Sequence, residues 1–263
     1  MLDWLVLQAS VNHSGYGDAK GTVMTAVQNL RRFGLAMAMA GTMGLGATAA
    51  GAQTAPVLVE LYTSQGCVSC PPADAFFSEL KDQPGVIALA LHVDYWDYLG
   101  WNDIFAKPEF TDRQKRYAKA VKAKMIYTPQ MIISGGERLE GTRPEMVLEH
   151  IAQTQAKALP VKLDVARRGG EVDISAQALE ALERGALVQV VRYLPSQTVA
   201  IERGENAGQE ITYHNVVTSW QVLGEWDGAE RLDLTAYVEG SDPVVVILQE
   251  PGPGPVLAVA EVK

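Results

Sequence analysis

Hydrophobic residues follow two different patterns along the chain, and the pattern changes near Pro160. Before that residue, short apolar runs such as residues 57–62 and 86–93 predict buried strands. Between the runs, apolar residues recur at the spacing of one helical face. The first such face consists of Ala73, Phe76, Phe77 and Leu80. Strands that alternate with helices in this way predict a layered α/β domain.

After Pro160, apolar residues alternate with polar ones, which is typical of strands that bury one face. Such runs continue toward the C-terminal end with turns between them, at residues 161–165, 172–174, 187–193, 198–201, 211–217, 232–236, 244–248 and 257–262. Many short strands separated by turns predict a β-rich, sandwich-like domain. Because no low-complexity linker separates the two regions, we expect them to pack together.

The first part of the chain has the features of an export signal. Arg31 and Arg32 precede the uncharged run 33–52, which is rich in Ala, Met and Gly and ends in Ala50-Gly51-Ala52. A basic segment, a short apolar segment and small residues at the exit are typical of a signal peptide, so we expect cleavage after Ala52. The alternative is that the run is a membrane anchor, but the glycines and threonines within it make it less apolar than a typical membrane-spanning segment.

These patterns predict three parts of the chain. Residues 1–52 are an N-terminal extension and signal peptide, residues 53–159 form the α/β domain, and residues 160–263 form the β-rich domain. The expected location is the periplasm or the extracellular medium, with no membrane span left after cleavage.

Composition narrows the possible functions. Hydrophobic residues make up 48% of the chain and charged residues 20%, which is typical of a globular protein. The formal net charge is −9, so nucleic acid is not an expected partner. The chain has two cysteines, too few for a disulfide-rich scaffold or a four-thiolate zinc site. Two cysteines are still enough for one redox pair.

Both cysteines lie between the first predicted strand and the first predicted helix. Cys67 and Cys70 have the C-x-x-C spacing, and Pro71 and Pro72 follow directly. The positive end of a helix dipole stabilises a thiolate, which is the species that attacks disulfides. We therefore predict that Cys67 is the attacking thiolate and that Cys70, expected to be less exposed, is the resolving thiol.

Two other interpretations of the cysteines remain open. They could form an inert structural disulfide, although so short a loop gives little stabilisation. They could also bind copper or zinc, with His92 or His214 as further ligands. We favour redox chemistry, which requires no cofactor and no metal.

Long motifs give the chain a specific resemblance. They are residues 60–74 around the cysteines, 92–101, 127–130, 203–206 and 213–217. With these motifs the chain resembles an uncharacterised family of secreted bacterial thioredoxin-like proteins, a domain of unknown function. The resemblance implies a thioredoxin-like fold for the α/β domain. It also implies that Pro129 is a cis-proline opposite the dithiol and that Thr128 and Pro129 face the substrate.

Three further segments are weighed against ordinary structural roles. The aromatic loop 94–101 is interpreted either as a rim beside the cysteines or as a loop anchored by its own aromatic residues. The basic residues between 113 and 124 could attract an acidic partner, but we interpret them as a solvated helix face. Residues 203–208 lack the context of a phosphate-binding loop and are interpreted as a plain connection.

The expected function is that of an exported enzyme, a thiol-disulfide oxidoreductase that acts on protein thiols or disulfides. A second redox protein would recycle its dithiol. The alternative is a metal- or partner-binding module in which the cysteines are ligands or a structural clip.

Overall fold

Two β-sheets and three α-helices make up most of residues 55–263, which are the residues that the structure, a computed structural model, describes. The strands are β1 (Val57–Thr63), β2 (Val86–His92), β3 (Gln130–Ile133), β4 (Glu137–Glu140), β5 (Val161–Arg168), β6 (Glu171–Ala178), β7 (Ala186–Ala200), β8 (Glu210–Trp226), β9 (Leu232–Tyr237), β10 (Val244–Gln249) and β11 (Val256–Val262). The helices are α1 (Pro71–Leu80), α2 (Pro108–Ala120) and α3 (Pro144–Gln155), with one 3₁₀ turn at Asp97–Leu99. Each α-helix begins with proline, whose missing N–H costs nothing in the first turn.

The predicted signal peptide at residues 1–52 and its cleavage site lie outside the described residues. Within residues 55–263, no helix is both long enough and apolar enough to cross a membrane.

The larger sheet is mixed and has eight strands, in the order β11-β10-β7-β8-β2-β1-β3-β4. Strands β1 and β2 are parallel, and β8 joins the free edge of β2 through the pair Ala90 and Val216. The smaller sheet is antiparallel and contains β5, β6 and β9. Strands from both sides of Pro160 therefore belong to one sheet.

This topology corrects the predicted fold class. An α/β thioredoxin-like domain followed by a separate β-rich, sandwich-like domain is wrong, because strands (43%) far outweigh helices (18%) and a large mixed sheet continues from one region into the other. The strands predicted after Pro160 are present, but β7, β8, β10 and β11 extend the sheet that β1 to β4 begin. An alternating pattern shows which face of a strand is buried and not which strand it pairs with. The boundary predicted after residue 159 falls between α3 and β5.

Strand β1 lies in the centre of the core because helices cover both faces of its sheet. Its odd-numbered apolar residues Val57, Val59 and Leu61 pack with residues of α1 and α3. Its even-numbered Leu58 and Tyr62 pack on the opposite side with residues of α2. All seven residues of β1 are buried, which explains its almost continuous apolar run.

A buried ion pair interrupts this apolar core on the α2 side. Arg113 donates two hydrogen bonds to the carboxylate of Glu60, at 2.7 and 2.9 Å. The hydroxyls of Tyr62 and Tyr117 also donate to Glu60, at 2.9 and 2.7 Å. The Arg113 guanidinium lies 3.8 Å from the ring centroid of Trp220 in β8. This network connects α2, β1 and β8, and every charge in it has a partner.

Candidate functional site

The two cysteines form a disulfide between the end of β1 and the start of α1, as their predicted placement requires. Cys70 occupies the N-cap position, and its carbonyl accepts hydrogen bonds from the N–H groups of Ala73 and Asp74 at 2.9 and 3.0 Å. Val68 and Ser69, between the cysteines, are exposed. The disulfide therefore lies at the positive end of the α1 dipole.

Burial of the cysteines differs from the sequence-based expectation. Cys67 is 1% exposed and Cys70 is 0% exposed, so the expected difference between them is absent. The turn formed by Val68 and Ser69 joins the two cysteines at the surface, and Val68 is 61% exposed. Because both cysteines are buried, a reagent reaches Cys67 Sγ only when the residues around it shift.

The predicted substrate-facing residues lie beside this turn. The peptide bond between Thr128 and Pro129 is cis. Ser69 Oγ lies 3.4 Å from Cys67 Sγ and 3.5 Å from the carbonyl oxygen of Thr128, which is a long hydrogen bond. The structure thus brings Cys67, Cys70, Thr128 and Pro129 together.

The aromatic loop 94–101 borders this site and is attached to it by two tryptophans. Trp96 Nε1 donates to Thr128 Oγ1 at 2.7 Å, and Trp101 Nε1 donates to Gln65 Oε1 at 2.8 Å. In contrast, Tyr98 is 77% exposed and stacks on Trp96 with ring centroids 6.5 Å apart. The two tryptophans therefore hold the loop in place, while Tyr98 forms an exposed rim.

A residue that sequence reasoning missed, Asn206, holds the backbone of the disulfide loop. Its Nδ2 donates to the carbonyl oxygens of Gln65 and Cys67, at 2.9 and 3.0 Å, and the residue is 1% exposed. Residues 203–208, interpreted above as a plain connection, thus reach the site across about half of the chain. The one indication in the sequence was that Asn206 belongs to the motif 203–206, which contributes to the family resemblance. The spacing of residues along the chain gives no indication of a contact with residues 65–67.

Replacing Asn206 with alanine is expected to lower the free energy of unfolding by about 1–3 kcal/mol, because the buried carbonyls of Gln65 and Cys67 each lose a hydrogen bond from its side chain. Reduction of the disulfide by dithiothreitol should also become faster, since the loop is less firmly held. The control is Asn215→Gly, which removes a comparable bond to Ala88 at a position with φ of 46°. If both variants reduce at the same rate, Asn206 does not restrain the disulfide.

Buried titratable groups cluster near the first turn of α1 and the ends of β1 and β2. Thr63 Oγ1 donates to Asp74 Oδ1 at 2.8 Å. His92 Nδ1 lies 2.7 Å from Asp103 Oδ2, so the ring donates its Nδ1 hydrogen to the carboxylate. Asp74 Oδ2 and His92 Nε2 have no hydrogen-bond partner within the described part of the chain. The ring of Tyr213 packs edge-on against His92, with centroids 4.9 Å apart.

The two aspartates of this cluster have opposite pKa shifts. Burial raises the pKa of Asp74 to about 7, against the opposing effects of His92 and the Thr63 hydroxyl. Burial would also raise the pKa of Asp103, but His92 and the N–H groups of Gln65 and Phe105 outweigh it and lower this pKa. Asp74 follows Cys70 by one helical turn and so lies on the same face of α1. A buried carboxyl group with a pKa near neutrality therefore lies one helical turn after Cys70.

Comparison with known proteins places the chain in a family. A family model described as "Protein of unknown function (DUF1223)" matches residues 58–249. The chain belongs to this family. The match confirms the resemblance to a domain of unknown function, and it says nothing of secretion or of a thioredoxin-like fold.

Solved structures resemble this DUF1223 protein over most of its length. Protein AGR_C_4864 from Agrobacterium tumefaciens is 31% identical, with a TM-score of 0.69 over 80% of this chain and 96% of that chain. HBP35 of Porphyromonas gingivalis is 14% identical, with a TM-score of 0.59 over 81% of this chain and 76% of that chain, which shows similarity of fold alone. No protein with curated annotation matches the DUF1223 chain at a significant level.

The histidines considered as metal ligands have other surroundings in this DUF1223 structure. Among residues 55–263, no group of three or more His, Cys, Asp or Glu side chains could hold a metal ion. His92 is engaged by Asp103. His214 lines a separate cavity with Lys81 and Tyr193, and burial lowers its pKa. The structure does not bring His214 to the cysteines.

Proposed function

We propose that this protein is an exported thiol-disulfide oxidoreductase that acts on protein thiols or disulfides through Cys67 and Cys70. The observation that supports it best is the position of the disulfide. The chain's two cysteines are joined at the first turn of α1, one turn before a buried carboxyl group, Asp74, with a pKa near neutrality. A thiol pair that gains and loses protons benefits from both features.

In the reducing direction, the Cys67 thiolate attacks one sulfur of a substrate disulfide. A bond forms between Cys67 and that sulfur, and the other substrate cysteine leaves as a thiolate that takes up a proton. The Cys70 thiol then gives its proton to Asp74, and its thiolate attacks Cys67 Sγ. The first substrate cysteine leaves, so two electrons have passed to the substrate. The oxidising direction reverses these steps, and a dithiol or disulfide of a recycling protein restores the starting form.

Thr128 and Pro129 would form the wall against which the substrate chain lies. Their position beside Ser69 and the long contact between Ser69 and the Thr128 carbonyl support this role. A substrate that displaces the exposed turn at Val68 and Ser69 would meet the Thr128 backbone at once. This gives a route to Cys67 Sγ that needs no movement of β1 or α1.

Replacing Cys70 with serine tests the proposal directly. The variant should accumulate mixed disulfides between Cys67 and substrate proteins, because the resolving thiol is gone. They are detected as reducible high-mass bands on non-reducing gels and identified by mass spectrometry. The matched control, Cys67→Ser, should trap nothing. In the reduced wild type, iodoacetamide at mildly acidic pH should label Cys67 well before Cys70.

Burial of both cysteines favours a second candidate, a structural clip within a binding module. In that case neither serine variant traps a partner, and both thiols of the reduced protein are alkylated slowly and at equal rates. Stoichiometric zinc or copper in the purified reduced protein would instead support the metal-binding form of this alternative.

A further inference from the structure

A basic surface lies next to the proposed substrate wall. We call it the basic patch, and it is formed by the C-terminal half of α2 and the segment that follows. Its residues are Lys115, Lys119, Lys122, Lys124, Val121, Met125 and Ile126. All of them except Val121 line a groove of about 620 Å³. Ile126 is two residues before Thr128, so their Cα atoms lie within about 7 Å of each other.

The charges of the basic patch are mostly uncompensated. Lys115 pairs with Asp112 at 3.2 Å, whereas Lys119, Lys122 and Lys124 make no ion pair within residues 55–263. The chain as a whole carries a net charge of −9. The net charge therefore repels an acidic chain segment, whereas the unpaired lysines of this surface, near Thr128, attract it.

Apolar side chains are exposed between the lysines. Met125 is 71% exposed and Val121 is 58% exposed. Together with Ile126 they form a contiguous apolar strip rimmed by lysines, and an apolar surface with a polar rim can contact an apolar side chain of a partner.

The C-terminal end of α2, which forms part of the basic patch, has an unfavourable backbone conformation at Lys122. The N–H groups of Lys122 and Ala123 bond the carbonyls of Lys119 and Ala118, at 3.0 and 2.8 Å, which is a Schellman motif. In this motif Lys122 occupies the left-handed position, with φ of 55°, where glycine is preferred. The helix end would be more stable with glycine, so the lysine charge at this position calls for another reason.

We propose that the basic patch docks an acidic segment of the polypeptide whose cysteine reacts at Cys67. This inference rests on the proposed oxidoreductase function and names its substrate class: protein chains with Asp or Glu, together with an apolar residue, close to the reactive cysteine. Attraction by the patch holds that cysteine over the turn at Val68 and Ser69, next to Thr128.

The test uses two synthetic peptides of equal length that differ only in three residues flanking one cysteine, glutamates in one and lysines in the other. The cysteine of each peptide is joined through a disulfide to the same thionitrobenzoate group. The reduced protein breaks this disulfide, and the coloured thionitrobenzoate that is released is measured by its absorbance. At low salt the acidic peptide should react about tenfold faster, and the difference should shrink as salt is added. The uncharged bis(2-hydroxyethyl) disulfide serves as a reference for the dithiol itself.

Two variants weaken the patch without disturbing the fold. Lys122→Gly relieves the left-handed backbone, so it should fold at least as stably as the wild type and still lose part of the preference for the acidic peptide. The double variant Lys119→Glu/Lys122→Glu should reverse the preference. The matched control, Lys157→Glu/Lys162→Glu, makes the same charge change around another groove and should keep the preference.

The remaining outcomes overturn the inference in distinguishable ways. Equal rates for the two peptides, with normal reaction of the uncharged disulfide, would refute docking and leave the oxidoreductase proposal standing. Failure of all three disulfides would refute both. Equal peptide rates together with patch-dependent binding to phosphatidylglycerol vesicles would assign the patch to an anionic membrane surface instead.

Discussion

Replacing Arg113 with methionine is expected to lower the free energy of unfolding by about 3–5 kcal/mol, because it leaves the Glu60 carboxylate buried without its partner. Glu60 is 0% exposed and Arg113 is 4% exposed, so water cannot take the place of the lost bonds. Urea denaturation at neutral pH, followed by circular dichroism, measures the change.

Two controls separate the buried charge from other effects of the substitution. Arg231→Met removes an exposed pair with Asp233 and should cost at most about 1 kcal/mol. The double variant Glu60→Leu/Arg113→Met should recover much of the loss, because no unpaired charge remains. If Arg113→Met alone costs no more than Arg231→Met, the ion pair does not stabilise the core in solution.

The wild-type protein is expected to unfold more easily at pH 8 than at pH 5 because of Asp74. Its folded-state pKa of about 7 lies above the ordinary aspartate pKa of 3.8, so between these values the folded state binds more protons than the unfolded state. Stability from this group is therefore present at low pH and is lost as the pH rises toward 7. The full effect is on the order of 4 kcal/mol.

Asp74→Asn should remove this dependence and make the protein several kcal/mol more stable at pH 8 than the wild type. Asparagine keeps the shape and can still accept the hydrogen bond from Thr63. The control is Asp82→Asn, because the Asp82 side chain is 73% exposed and should not affect the slope. The test is to measure urea denaturation midpoints at pH 5, 6, 7 and 8. If the midpoints of wild type and Asp74→Asn change in parallel with pH, Asp74 does not cause the pH dependence.

The same variant connects stability to the proposed chemistry. If Asp74 accepts the Cys70 proton, Asp74→Asn should slow release of the mixed disulfide that Cys67 forms, and the step in rate near pH 7 should disappear. Alkylation of Cys67 should change much less. A loss of rate without any change in pH profile would mean that Asp74 acts only through packing.

Local pattern predicted the elements of this fold better than their assembly. The apolar run of β1 and the helical face of Ala73, Phe77 and Leu80 are placed as expected, because both depend on neighbours in sequence. The contact between Val216 and Ala90 joins residues 126 positions apart, and it decides that the strands after Pro160 extend the first sheet. Alternation of apolar residues in β8 is the same whether it joins this sheet or another.

The candidate site shows the same limit. Cys67 and Cys70 could be singled out because a C-x-x-C pair between a strand and a helix has a characteristic sequence context, whereas Thr128 was singled out only through the family resemblance. Asn206 and Asp74 could not be assigned a role in the same way. Asparagine in a loop is ordinary, and an aspartate in a first helical turn is usually a solvent-exposed partner of the helix dipole. Only the tertiary structure shows that both are buried.

The pairing of β8 with β2 also decides how the chain can be divided. A fragment that ends at residue 159 would keep the pairing of β2 with β1 but would leave the other edge of β2 without a neighbour, on a strand whose last five residues are buried in the whole protein. Open apolar edges of this kind recruit strands from other molecules. Such a fragment is therefore expected to aggregate. We therefore expect the part of the chain that holds the cysteines to be expressed in folded form only together with the strands that follow Pro160.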